Sequence, residues 1–237
     1  QVEVTEIKHY TSKLFSFKTT RPRSFRFTAG QFTLIGISTS NVSRAYSMVS
    51  GPYDDFLEFY SIKVPDGELT SKLKNIKIGD VVDINDKPAG TLTLAHLELG
   101  GNLWLIGTGT GIAPFISLLR DPDIYESFDK IIVMHSVREV EDLAYDDFLN
   151  QQDILYYPIV TRDKNYLRHK RITNCIYDKD VFNDLNLAAW TCKNDKVMLC
   201  GNIDFNAEMR QYLESQGWQQ GTQRQAGTYV QERAFVG

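Results

Sequence analysis

The sequence is poor in several things, and each shortage removes a class of function. Its 237 residues include three cysteines, Cys175, Cys192 and Cys200, with no C-x-x-C pair. Three thiols cannot build a four-cysteine iron–sulfur site. So sparse and odd a set fits a reducing cytoplasm better than a disulfide framework. No apolar run approaches the roughly 20 residues of a membrane span, and Gln1-Val2-Glu3-Val4 opens no basic segment leading into an apolar core, so neither an anchor nor a secretory leader is expected. A basic surplus is missing as well: the net charge of −4 argues against nucleic acid as a partner. The four histidines, His9, His96, His135 and His169, are scattered, so no metal site is expected.

What remains is an ordinary globular composition, 42% hydrophobic and 24% charged. The length suits one large or two modest domains. Residues 1–98 carry 12 Lys/Arg against 11 Asp/Glu, and the remainder 14 against 19. The first part reads as short strands: Leu14–Thr19, Phe32–Ile37 and Leu57–Val64. Ala29-Gly30, Gly51-Pro52, Pro65-Asp66-Gly67 and Gly79-Asp80 punctuate them as turns. One helix is expected from Thr70 to about Ile76, with Thr70 or Ser71 near its N-cap. Such a pattern indicates an antiparallel β-barrel. After Gly100-Gly101 the texture changes to near-continuous apolar runs, Leu103–Ile106, Lys130–His135, Leu155–Val160 and Lys196–Gly201. Helical segments such as Asp142–Gln151 and Asn206–Gln216 separate them, which indicates an α/β domain with a parallel sheet covered on both faces. The boundary is expected near residue 98, giving domains 1–98 and 99–237.

Three segments carry chemistry. Arg44-Ala45-Tyr46-Ser47 offers a cation and an aromatic plate on one face of a strand and a hydroxyl on the other. A guanidinium can pair with a pyrophosphate and a tyrosine can stack on a planar ring. Taken alone, the stretch is equally a barrel strand with a surface arginine. Gly67-Glu68-Leu69-Thr70-Ser71 joins a turn to a helix start, where free N–H groups favour an anion, though capping by Thr70 explains it as well. Gly107-Thr108-Gly109-Thr110-Gly111-Ile112-Ala113-Pro114-Phe115 follows an apolar strand; its glycines permit close backbone approach, and Pro114 suits a first helical turn. The next strand runs into Val137-Arg138 rather than the acidic residue of many NAD sites, and Arg162 and Arg171 add further cations suited to a 2′-phosphate. Each of these arginines is also, alone, an ordinary loop residue.

The order Arg-x-Tyr-Ser, Glu58-Phe59-Tyr60-Ser61-Ile62-Lys63-Val64, Gly-x-Leu-Thr-Ser, the glycine turn, then Cys200-Gly201-Asn202 resembles the ferredoxin–NADP reductase family, bacterial branch, over essentially the whole chain. The resemblance implies an oxidoreductase that exchanges a hydride between NADPH and FAD, and single electrons with a ferredoxin or flavodoxin. It implies that Arg44, Ala45, Tyr46 and Ser47 hold FAD, with Tyr46 against the isoalloxazine and Ser47 near N5. Phe59, Ser61 and Lys63 would follow the adenosine and pyrophosphate, and Gly67, Leu69, Thr70 and Ser71 would cradle the phosphates. Lys63 is equally a solvated strand lysine, and Phe59 a core residue. Thr108, Gly109, Thr110, Gly111, Val137, Arg138, Thr161, Arg162, Arg171, Gly201 and Asn202 would receive NADP(H), with Cys200 close to the nicotinamide.

The resemblance also brings the C-terminal tail back to the flavin, with Ala234 against the isoalloxazine face and Phe235 stacked on a cofactor ring. An acidic carrier would meet Lys72, Lys74 and Lys77, or Lys18, Arg21, Arg23 and Arg26, each cluster being equally a solvated face. A monomer is expected. Three other readings stay open on the residues alone: an oxygenase reductase component, for which no iron–sulfur cysteine set exists; a regulatory flavoprotein without turnover; and a cofactor-free binding module.

Overall fold

The structure, a computed structural model, describes residues 1–37, 42–64, 67 and 69–234. The chain forms two compact units: residues 1–93 with 113–121, and residues 94–112 with 122–234.

The first unit contains β1 (Val2–His9), β2 (Leu14–Thr20), β3 (Phe32–Gly36), β4 (Ser43–Ser47), β5 (Phe56–Ile62) and β6 (Val81–Ile84). They lie in the order β4-β3-β6-β1-β2-β5, with every pairing antiparallel. A bridge between Met48 and Phe59, and the Val49 N–H donating to Glu58 O at 2.8 Å, join the end of β4 to β5. That closure makes the sheet a barrel and covers edges that would otherwise invite pairing with another chain. Its interior holds Val4, Phe15, Phe17, Ile35, Met48, Leu57, Phe59 and Leu73. Phe17 and Phe59 face each other across β2 and β5 with ring centroids 5.5 Å apart, a cross-strand pair that fixes the register. β1 alternates buried Val2 and Val4 with exposed Glu3 and Thr5. Neither β1 nor β6 was expected from the sequence.

Two helices belong to this unit, α1 (Thr70–Leu73) and α2 (Ala113–Leu119). α1 is a single turn, shorter than the expected helix to Ile76. Neither Thr70 nor Ser71 caps it: the N-cap is Leu69, and the Thr70 hydroxyl donates to Val64 O at 3.3 Å. Every residue of α2 is buried, with Pro114 in its first turn. Ser117 Oγ donates to Ser50 O at 2.8 Å, and Arg120 Nη1 lies 3.2 Å from Asp54 Oδ2 and 3.1 Å from Glu58 Oε2.

The second unit is α/β. Its strands are β7 (Asn102–Thr108), β8 (Lys130–Val137), β9 (Leu155–Val160), β10 (Asp195–Gly201) and β11 (Tyr229–Arg233). All are parallel, in the order β11-β10-β7-β8-β9. Its helices are α3 (Asp123–Ser127), α4 (Asp146–Leu149), α5 (Ile172–Tyr177), α6 (Asp180–Asp184) and α7 (Ile203–Ser215). Leu103, Trp104, Leu105 and Ile106 are all fully buried, as a central strand covered on both faces requires. On one face Trp104, Met134, Ile159 and Leu199 pack with Ile176 of α5, Phe182 of α6 and Met209 of α7. Trp104 satisfies its indole N–H on Asp195 Oδ1 at 3.0 Å.

The expected helix over Asp142–Gln151 is broken. A 3₁₀ turn at Val140–Asp142 precedes α4, and between them Tyr145 adopts φ +63°, which an α-helix cannot contain. α7 starts earlier than expected because Asn202 caps it, its Oδ1 accepting the Phe205 N–H at 2.8 Å. No helix among the described residues is long and apolar enough to cross a membrane.

Candidate functional site

On the barrel, β4 carries the expected residues without the expected alternation: Ala45 and Tyr46 are buried, Ser47 is half-buried, and Arg44 is exposed. Tyr46 OH lies 3.3 Å from Ser61 Oγ, so the hydroxyls of two sequence-distant candidates meet. Burial pushes the Tyr46 phenol above its usual pKa, against the lowering effects of the Ser61 hydrogen bond and the nearby Arg44 charge. It is a neutral phenol held beside a guanidinium. Phe59 is not available to a ligand: its ring is fully buried against Phe17. Leu69 is likewise fully buried in the barrel core. Lys63 is half-buried, its Nζ 5.7 Å from the centroid of the Phe15 ring. At the turn, the Gly67 N–H donates to Val64 O at 3.2 Å and Gly67 O accepts the Ser71 N–H at 2.9 Å. Those bonds tie Gly67, Thr70 and Ser71 into one compact loop.

The parallel sheet collects the remaining candidates at the carboxyl ends of its strands, where open α/β sheets bind ligands. β7 ends at Thr108, and Gly109–Ile112 forms a 3₁₀ turn into α2. Gly109 sits at φ +55°, and a Cβ built there meets nothing within 4 Å. The backbone there is open to a close-approaching group. Gly111 has the opposite reason to be glycine: a Cβ would lie 2.1 Å from Cys200 O of β10. At Gly201 a Cβ would strike the Phe205 ring and Thr108 Oγ1, so the ends of β7 and β10 are in contact. The Cys200 thiol is fully buried; desolvation first, and the Glu232 charge second, push its pKa well up. It stays a neutral thiol, not a nucleophile.

The loops after β8 and β9 run side by side. The Thr161 N–H donates to Val137 O at 2.9 Å and its Oγ1 to the same oxygen at 3.1 Å, while the Arg162 N–H donates to Arg138 O at 3.0 Å. This ladder holds the Arg138 and Arg162 backbones together. Both side chains are exposed, and neither makes a salt bridge among the described residues. Arg171 differs from the expectation: its Nη2 is 2.6 Å from Glu208 Oε2, so its charge is already met from α7. Asn202 serves as the cap of α7 through its side-chain oxygen. Sequence reasoning passed over His135, which is fully buried with Nε2 3.0 Å from Gly109 O. Burial lowers its pKa to about 4, the Gly109 hydrogen bond opposing weakly.

β11 runs parallel to β10, and the Ala234 N–H donates to Gly201 O at 2.8 Å, which sets Ala234 at the same carboxyl edge. Phe235 lies outside the described residues. Of the basic clusters, Lys72, Lys74 and Lys77 are exposed. The second is partly structural. Arg21 donates to Phe25 O at 3.0 Å, Pro52 O at 2.9 Å and Asp54 O at 2.6 Å; Lys18 pairs with Glu6 at 2.8 Å; and Arg26 bonds to Arg23 O.

The donor sets fit two dinucleotides. The barrel offers a cation beside a neutral phenol and a hydroxyl, and the sheet edge offers an open glycine turn and two arginines that make no salt bridge among the described residues. Comparison with known proteins agrees. Residues 2–93 match the oxidoreductase FAD-binding domain family, and residues 105–211 match the oxidoreductase NAD-binding domain family. The chain is 43% identical to a flavodoxin/ferredoxin–NADP reductase of Rhodobacter capsulatus, over 99% of this chain and 92% of that protein. It is 40% identical to ferredoxin–NADP reductase A of Sorangium cellulosum, over 99% and 89%. A ferredoxin NADP+ reductase from Neisseria gonorrhoeae, solved with bound FAD and NADP, superposes with a TM-score of 0.92 at 31% identity, covering 99% of this chain and 98% of that one.

Proposed function

The chain belongs to the ferredoxin/flavodoxin–NADP(+) reductase family, and from that premise we propose that it is an FAD-dependent enzyme exchanging a hydride with NADP(H) and single electrons with a ferredoxin or flavodoxin. Residues 1–98 are the FAD-binding part in this reading and residues 99–237 the NADP(H)-binding part. When bound, the two cofactors supply the hydride and one-electron chemistry, and the protein supplies binding and orientation.

On the barrel, Arg44 neutralises the FAD pyrophosphate, and Tyr46, fixed by Ser61, borders the isoalloxazine with Ser47. The compact loop of Gly67, Thr70 and Ser71, held in shape by its own hydrogen bonds to Val64 O and Gly67 O, borders the phosphates in this reading, and Lys63 adds a cation beside it. Phe59 and Leu69 support this surface from the core rather than touching the cofactor.

On the sheet, Thr108, Gly109, Thr110 and Gly111 admit the NADP(H) pyrophosphate to the backbone. Arg138 and Arg162, carried on loops anchored by Val137 and Thr161, take the 2′-phosphate. Arg171, engaged with Glu208, is a secondary contact. Gly201 borders the nicotinamide in this reading, with the Cys200 thiol buried close behind it as a neutral, unreactive group, and Ala234 is small enough to leave a facing ring room. The exposed Lys72, Lys74 and Lys77 suit an acidic carrier. The reading extends to a monomer in the cytoplasm, where three unpaired cysteines are stable.

The observation that carries the cofactor preference is the Val137–Arg138 and Thr161–Arg162 ladder, which sets side by side at the sheet's carboxyl edge two arginines that make no salt bridge among the described residues. Arg162→Ala removes one charge-assisted contact of about 1.5–3 kcal/mol, so the KM for NADPH rises roughly 10- to 100-fold while the KM for NADH hardly moves. Equal changes for the two nucleotides would remove the 2′-phosphate assignment.

A further inference from the structure

The glycine turn is held from both sides. On the β10 side, Gly111 packs so closely that a Cβ would collide with Cys200 O. On the β8 side, the contact is a side chain. The register sets His135 between Gly107 of β7 and Pro158 of β9, and its imidazole reaches Gly109 O at 3.0 Å from a position with no solvent exposure. Gly109 is the residue at φ +55° where the chain leaves β7, and its own flexibility would let the turn drift.

The chemistry of the pair fixes its protonation. A carbonyl oxygen has no hydrogen to give, so Nε2 carries the N–H and Nδ1 is a bare lone pair. Nδ1 is buried and, among the described residues, has no hydrogen-bond partner. A proton placed there would be a charge in a dry interior with no acceptor, which is why burial holds the ring's pKa down at about 4. A buried histidine with one nitrogen spent on a turn carbonyl and the other unpaired does more than fill space; an apolar residue would fill it without the unpaired atom.

We propose that His135 is a positioning residue for the dinucleotide turn: as the neutral Nε2–H tautomer it holds Gly109 O and so aims the backbone of residues 108–111 at the nucleotide's phosphates. This rests on the reading that the turn receives NADP(H). It predicts that His135 governs nucleotide affinity and leaves the flavin and the hydride step alone.

The test uses the FAD-loaded holoenzyme and direct titration with NADP+, alongside steady-state kinetics. His135→Leu removes the donor; the expected result is an approximately tenfold weaker NADP+ dissociation constant and a matching rise in KM, with kcat and the flavin spectrum unchanged. His135→Gln, whose amide N–H reaches about as far as Nε2, restores affinity to within about threefold. Leu and Gln variants that both bind as the native protein does would overturn the proposal, as would two variants equally impaired. Gly109→Val separates the underlying reading: if it also leaves NADP+ binding intact, the turn is not the nucleotide site. If it abolishes binding while His135→Leu does not, only the positioning role falls. Nitrogen-15 NMR of the imidazole in the native holoenzyme needs no substitution. An Nε2–H ring from pH 5.5 to 8 is expected, and an Nδ1–H or charged ring at pH 7 would refute the proposal.

Discussion

The buried imidazole of His135 makes stability depend on pH in a calculable way. Its pKa falls from 6.5 to about 4 on folding, because burial penalises the charged ring. The sign follows from linkage: below pH 6.5 the unfolded chain takes up a proton that the folded chain refuses, so stability rises with pH across this window. The contribution is complete above pH 6.5 and is lost as pH falls toward 4. Each pKa unit corresponds to about 1.4 kcal/mol, so between pH 7 and pH 4.5 the loss amounts to about 2.5 kcal/mol. Other groups titrate in the same range, and a comparison with His135→Gln cancels them. The assay is urea unfolding of both holoproteins at half-unit pH steps. The native protein is expected to lose about 2.5 kcal/mol more than the variant. Parallel profiles would mean that the ring is solvated or already charged in the folded state, and the account of its environment would be wrong.

The other substitutions separate packing from binding. Gly111→Ala puts a Cβ against Cys200 O, a backbone atom that cannot swing away. It should destabilise by about 1–3 kcal/mol in a denaturation curve, and it should weaken NADP+ binding by spreading β7 from β10; an unperturbed variant would show that the turn is loose. Arg171→Ala should raise the KM for NADPH much less than Arg162→Ala, since Arg171 is already paired with Glu208. An effect equal to that of Arg162→Ala would move Arg171 into direct contact with the phosphate.

Most of the framework was readable in the sequence because the parallel strands are strongly apolar and the central ones are buried on both faces. Leu103–Ile106 and Leu155–Val160 are apolar enough to stand out without context. β11 was not readable: Gln231, Glu232 and Arg233 look like a tail, and only pairing with β10 makes them a strand. The helix expected over Asp142–Gln151 failed for a local reason, the left-handed Tyr145, which no periodicity reveals. Within the site, residue types were legible but their tasks were not. Arg162 and Arg171 look alike in sequence, and only the fold brings Glu208 to one of them. Asn202 follows Cys-Gly at a strand end and looks like a ligand residue, yet its oxygen is spent on capping α7. Phe59 shares a motif with Ser61, but its ring is spent on packing against Phe17 in the barrel core. His135 gave only a faint signal. Its partner is a backbone carbonyl, which leaves no mark in a sequence, although a histidine in an otherwise apolar run such as Ile131–Met134 is a cue worth following.

In this reading one chain holds FAD and draws a hydride from NADPH in preference to NADH. Anaerobic stopped-flow absorbance of the purified protein tests it directly, with NADPH in one experiment and NADH in another. A yellow protein that bleaches rapidly with NADPH and far more slowly with NADH is expected. A yellow protein indifferent to both, or a colourless one that takes up no FAD, would contradict it.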